Sequence, residues 1–181
     1  WPGVRRSKRQ GHGRVSGLDE HLEAGGHERT TKHGRVRATF AIIDLALERH
    51  TLFADRPLAE FLGWVELVID AINGALEGID PDAVRLHVCW GNYEGPHTHD
   101  VALDEIQPLL YEAHVGALVI SMANARHAHE VRCFERRPLP DHLSLVAGVI
   151  DTTSNYVEHP EVVADRLARA VEAVGDPTRV I

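Results

Sequence analysis

The chain has 181 residues, 44% of them hydrophobic, and a formal net charge of −8, enough apolar content for the core of one domain or slightly more. No run reaches the roughly 18 apolar residues of a membrane helix, and no apolar stretch follows the basic N-terminus as in a signal peptide. Two cysteines, Cys89 and Cys133, are too few for a disulfide framework and point to a reducing, cytoplasmic setting.

The charge is unevenly spread. Residues 1–39 hold nine Lys/Arg against four Asp/Glu, and the remainder holds ten against twenty-three. A basic arm can bind nucleic acid, but this one has few aromatics to stack on bases and no recognisable motif, so no nucleic-acid partner is expected. Its Gly, Arg and His content buries too little apolar surface to offset ordering entropy. Residues 1–43 are therefore expected to be an irregular, disordered or out-of-frame segment. A first residue of Trp1 rather than Met points to a fragment.

Beyond residue 40, strand-like and helix-like stretches alternate. Phe40–Ile43 is a short apolar run. Leu58, Phe61, Leu62, Val65, Val68, Ile69, Ile72 and Leu76 then fall at spacings of three and four, one face of a helix over Pro57–Ile79. Asp55 is the expected cap, Pro57 fits the first turn, and Gly78 marks the end. Arg85–Trp90 reads as a strand entered through an Asp80-Pro81 turn. The loop GNYEGPHTHD follows, then a helix over Leu103–Ala113 with Pro108 inside it. Ala117–Met122 is a continuously apolar strand, as in a parallel sheet covered on both faces. A polar helical segment over His127–Arg136, a strand over Leu143–Ile150 and an amphipathic helix over Pro160–Val174 complete the series. That last helix carries Val162, Val163, Leu167, Val171 and Val174. Arg179–Ile181 begins a further strand.

Such alternation in units of about thirty residues predicts parallel βαβ architecture. The expected fold is α/β, a partial (β/α)8 barrel supplying about half of the roughly 250 residues that a full one needs.

Ligands of parallel α/β folds bind at the C-terminal strand ends. Alternation puts His87 and Cys89 on one face of their strand, and imidazole with thiolate is a typical zinc donor pair. Alone, a His-x-Cys is more often structural. Asp151-Thr152-Thr153-Ser154-Asn155 forms a polar cluster after a later strand, suited to chemistry or to capping. Asn124 and Arg126 follow another, and Arg126 suits either a carboxylate or solvent. Of the thirteen histidines, His97, His99, His127 and His129 sit in rim loops, where most are ordinary polar surface. Cys133 reads as a small buried hydrophobe.

His87 to Asp100 (HVCWGNYEGPHTHD), Ala123 to Glu130 (ANARHAHE) and Gly148 to Leu167 (GVIDTTSNYVEHPEVVADRL) together resemble the C-terminal catalytic barrel of cobalamin-independent methionine synthase. The likeness is narrower still to its short single-barrel relatives in the UROD/methionine synthase-like superfamily. Leu45 to Glu66 fits the same relatives, so the resemblance covers residues 44–181 in order and implies a partial barrel domain there.

The resemblance implies a zinc-dependent methyltransferase, acting between a methyl-tetrahydrofolate-type donor and homocysteine or a similar thiol. It implies Zn²⁺ held by His87 and Cys89, Asp151 in the catalytic machinery, and Asn92, Asn124 and Arg126 among the substrate-binding residues. The pattern departs at two places. Ser121 stands where the family has a Glu ligand, and Thr153 where it has a proton-donating His. The family's last Cys ligand falls beyond Ile181. These departures open two alternatives: alkyl transfer to another thiol such as coenzyme M, and a truncated, inactive fragment. Another chain completing the barrel is an expected partner.

Overall fold

The computed structural model describes residues 27–31, 34–44, 49, 52–92 and 95–181. The first 26 residues of the expected arm, and most of Leu45–His50 within the resemblance, lie outside the described residues.

The protein is a mixed α/β chain. Strands β1 (His27–Thr31) and β2 (Gly34–Asp44) pair antiparallel, and both fall largely in the stretch expected to be irregular. Helix α1 (Leu58–Ala75) leads to β3 (Val84–Cys89), and α2 (Leu103–Leu110) leads to β4 (Ala117–Ser121). A 3-10 turn (Ala128–Arg132) and the short α3 (Cys133–Arg136) precede β5 (Ser144–Gly148), and α4 (Pro160–Val174) follows it.

Strand order is sequential, β1-β2-β3-β4-β5, with β2 to β5 parallel. After α4 the chain returns to β5. Val180 bridges Leu145 in parallel, and the Ile181 N–H donates to the Leu145 carbonyl at 2.8 Å. Right-handed crossovers taken in sequential order all fall on one side of a sheet.

Burial agrees. Along β3, Val84, Leu86 and Val88 are fully buried while Arg85, His87 and Cys89 are half-buried. Leu118 and Ile120 of β4 and Leu145 and Ala147 of β5 join the buried set, which forms one core with Phe61, Val65, Ile69, Leu103, Ile106 and Leu110. Val119, Ser121, Val146 and Gly148 alternate with them and share the face of His87 and Cys89.

Helix α1 buries Phe61, Val65, Ile69 and Ile72, four members of the predicted face. Phe61 stacks on Trp64 (centroids 5.7 Å apart) and takes the edge of Phe53 at 5.6 Å. Asn73 latches this helix to the next loop, donating to the Glu112 carbonyl at 2.9 Å and accepting from the His114 N–H at 2.7 Å.

The structure corrects several local expectations. Pro57, not Asp55, is the N-cap of α1, and no side chain caps it. The helix stops at Ala75, and Gly78, with φ +80°, serves the turn beyond. Helix α2 ends at Leu110, short of Ala113, with Pro108 inside it at the sixth position, where proline removes the N–H bond to the Asp104 carbonyl. Helix α4 has the predicted bounds but buries Ala170 and Ala173, while Val162 and Leu167 are exposed. Small side chains face its neighbours, so burial there follows close approach rather than side-chain size.

Candidate functional site

In a parallel sheet the loops leaving β3, β4 and β5 emerge at the same edge, and hydrogen bonds join them. The Thr152 hydroxyl donates to the Asn92 side-chain oxygen at 2.9 Å, linking the loop after β5 to that after β3. His127, after β4, meets Asp100, after β3, at 2.7 Å. The Met122 N–H donates to the Gly148 carbonyl at 2.9 Å, holding the ends of β4 and β5 together. A Cβ on Gly148 would stand 2.8 Å from the Ile120 carbonyl oxygen, so the two strands meet there as bare backbone.

His87 and Cys89 lie two residues apart on one face of β3, as their spacing predicts. The register that pairs Val88 with Ile120 puts Ser121 beside Cys89 on the neighbouring strand. Imidazole and thiol suit zinc. The neutral Ser121 hydroxyl adds no anionic donor, so among the described side chains of β3, β4 and β5 this face brings two zinc-type donors, His87 and Cys89, of the four that a tetrahedral ion takes.

Asp151 is firmly held. One carboxylate oxygen accepts from the Thr153 N–H (3.0 Å) and hydroxyl (2.7 Å), while the Asp151 N–H donates to Glu158 at 2.9 Å. Glu158 in turn pairs with Arg166, and both the Asp151 N–H and Arg166 draw its carboxyl below the usual range. Arg166 also donates to the Val149 carbonyl, pinning the loop to α4. Thr153 is thus a donor to Asp151.

Asn124 spends its side-chain oxygen on backbone, accepting from Arg126 N–H at 3.0 Å and His127 N–H at 2.7 Å. It shapes the turn that delivers His127. Arg126 is exposed. Cys133 is 2% exposed, and burial, reinforced by Asp104, pushes its thiol up to about 12, the inert buried cysteine expected.

The sequence reading passed over a buried ionic cluster. His127 is 3% exposed and lies flat against Trp90, with ring centroids 4.0 Å apart and planes 14° from parallel. Its Nε2 faces Asp100 Oδ2 at 2.7 Å and its Nδ1 faces Glu130 Oε2 at 2.8 Å. His97 Nδ1 approaches Asp100 Oδ2 at 2.9 Å. The other oxygen of Glu130 accepts the Leu103 N–H at 2.9 Å, capping α2.

Burial opposes charge on His127, but the hydrogen bonds to Asp100 and Glu130 outweigh it and raise its pKa above the ordinary 6.5. Burial likewise opposes charge on Asp100, and the His127 hydrogen bond and nearby His97 outweigh it, holding the carboxyl below 3.8. A signal for the cluster exists in the sequence: His97/Asp100 and His127/Glu130 each pair a histidine with a carboxylate three residues on.

Fold and site together define a parallel α/β chain whose ionisable side chains gather where strand ends meet loops, the usual place for ligand chemistry in this class. The chain is similar to the 2-hydroxypropyl-CoM lyase of Xanthobacter autotrophicus (strain ATCC BAA-1158 / Py2), 30% identical over 131 residues that take in 59% of this chain and 35% of the relative. It spans about a third of the length of that curated relative. No family model and no solved structure matches.

Proposed function

We propose that this chain carries the thiol-handling half of a barrel enzyme that makes or breaks a thioether C–S bond, with zinc held in part by His87 and Cys89. The observation that carries the reading is the alternation along β3. Val84, Leu86 and Val88 are fully buried in the core, which fixes His87 and Cys89 rigidly on the opposite face. The relative's name, a lyase of a 2-hydroxypropyl thioether of coenzyme M, favours coenzyme M over homocysteine as the thiol.

Zinc, when bound, lowers the pKa of a coordinated thiol so that the nucleophilic thiolate exists at neutral pH. The residues of the chain do the rest. Asp151, oriented by two donors from Thr153, offers a fixed acceptor at the rim. A 2-hydroxyalkyl group carries a hydroxyl that such a carboxylate can accept, whereas a methyl group carries none. Thr153 in place of a proton-donating His points the same way, away from methyl transfer from a folate nitrogen. Arg126, exposed beside the Asn124 turn, suits the anionic end of a thiol. Asn92, tied to Thr152, holds the two loops in register around the substrate.

Equilibrium binding to the zinc-loaded chain tests this reading. Coenzyme M is expected to bind with release of a proton as its thiol ionises, and Cys89→Ser is expected to abolish that release. Homocysteine bound with proton release, and coenzyme M not bound, would move the assignment back to methyl transfer. No thiol-linked proton release from either compound would remove it.

A further inference from the structure

The buried cluster around His127 lies on the other side of the sheet from His87 and Cys89. Trp90 continues the core-facing series Val84, Leu86 and Val88, and His127 stacks on Trp90. His87 and Cys89 face away from that layer. Nothing in the proposed thioether chemistry uses these residues.

We propose that His97, Asp100 and His127 form a second metal site, for a zinc-class divalent ion, that clamps the loop after β3 to the segment after β4. One ligand atom from each residue lies within 4.8 Å of the other two. Two imidazole nitrogens and a carboxylate oxygen form a donor set that zinc-class ions favour. The nitrogen–oxygen separations are 2.7 Å from His127 and 2.9 Å from His97. Bonds of about 2.0–2.1 Å in a tetrahedron require ligand atoms about 3.3 Å apart, so each contact needs to open by roughly half an ångström.

The surroundings support the assignment independently. Metal-ligating histidines typically give their second ring N–H to a carboxylate, which fixes tautomer and ring orientation. Glu130 stands 2.8 Å from His127 Nδ1 and is itself held by the Leu103 N–H. Trp90, whose indole N–H donates to the Val101 carbonyl at 2.7 Å, fixes the plane of the ring. The His127 and Asp100 side chains are 4% and 5% exposed, while that of His97 is 18% exposed and leaves a way in for the ion.

The test uses the full chain, stripped of metal with chelator and titrated with zinc chloride. The double variant His87→Ala/Cys89→Ser removes the thioether site and is expected to retain one zinc equivalent and a zinc-dependent rise in melting temperature. Adding His97→Ala, a partly exposed loop substitution, is expected to abolish both, and Asp100→Asn likewise. If the double variant binds no zinc, or if adding His97→Ala leaves binding unchanged, the second site is overturned. Cobalt separates the two readings. An ion at His97, Asp100 and His127 shows visible bands without a thiolate charge-transfer band, so this site stands or falls whatever happens at Cys89.

Discussion

The Trp90 indole lies on the His127 imidazole at 4.0 Å between centroids, joining the end of β3 to the segment after β4 through a buried stack. This contact anchors the layer beneath the candidate site, and Trp90 also donates to the Val101 carbonyl. Trp90→Ala is expected to cost about 3–5 kcal/mol in urea unfolding. Trp90→Phe keeps a ring but leaves that carbonyl without its donor, and is expected to cost about 1–3 kcal/mol. Equal losses for the two would mean that the ring contributes nothing beyond its hydrogen bond, and would contradict the stack on His127.

The pH dependence of metal-free protein follows from the same cluster. His127 has its pKa raised by folding, so its contribution is fully present below the unfolded value of about 6.5 and lost as pH rises through the folded one. Asp100 has its pKa lowered, so its contribution is present above its unfolded value of about 3.9 and lost as pH falls through the folded one. Melting temperature is therefore expected to peak between about 4 and 6.5 and to fall on the alkaline side. His127→Gln is expected to flatten that alkaline fall. A parent protein whose melting point rises steadily from pH 6 to 9 would contradict the charged His127.

Gly148 tests the close approach of β4 and β5. A methyl group there meets the Ile120 carbonyl oxygen at 2.8 Å and the Ser121 Cα at 3.0 Å, both backbone atoms that cannot swing aside. Gly148→Ala is expected to destabilise the chain by about 1–3 kcal/mol, the usual cost of overpacking. Gly63, in helix α1, has nothing within 4 Å of its added Cβ, and Gly63→Ala is expected to be neutral or stabilising. Matching losses at both positions would refute the steric account.

The two thiols should react differently in native protein. Cys133 is buried, with its thiol pushed up to about 12, whereas Cys89 is half-buried on the sheet face opposite the core. Disulfide-exchange reagents at pH 8 are expected to label Cys89 and spare Cys133 until the chain unfolds. Labelling of Cys133 at the faster rate would place the accessible thiol on the wrong strand.

Much of this was legible in the sequence, for identifiable reasons. Helix α4 was predicted with its observed bounds from the spacing of its valines and Leu167, and in the structure Pro160 opens it and Gly175, in the left-handed conformation, closes it. The shared face of His87 and Cys89 follows from strand alternation alone. A further strand was expected at Arg179–Ile181, whereas Arg179 closes a 3-10 turn (Pro177–Arg179) and only Val180 bridges Leu145. Of the five apolar positions read on α4, Val174 packs against the core while Val162 and Leu167 are exposed, since which side of a helix is covered depends on neighbours distant in sequence. The His127 cluster escaped for the same reason. Asp100 and His127 stand 27 positions apart, and only the parallel packing of the loops after β3 and β4 brings them together. Asn124, expected at the substrate, uses its side-chain oxygen to hold the turn that presents His127.

The most direct measurement of the central claim is the absorption spectrum of the cobalt-loaded chain. If His87 and Cys89 hold the metal, the parent and Cys133→Ser show a thiolate-to-cobalt charge-transfer band, and Cys89→Ser loses it. A band that survives Cys89→Ser, or a parent with no such band at saturating cobalt, would contradict the assignment of the His87 and Cys89 face of β3 to thiol chemistry.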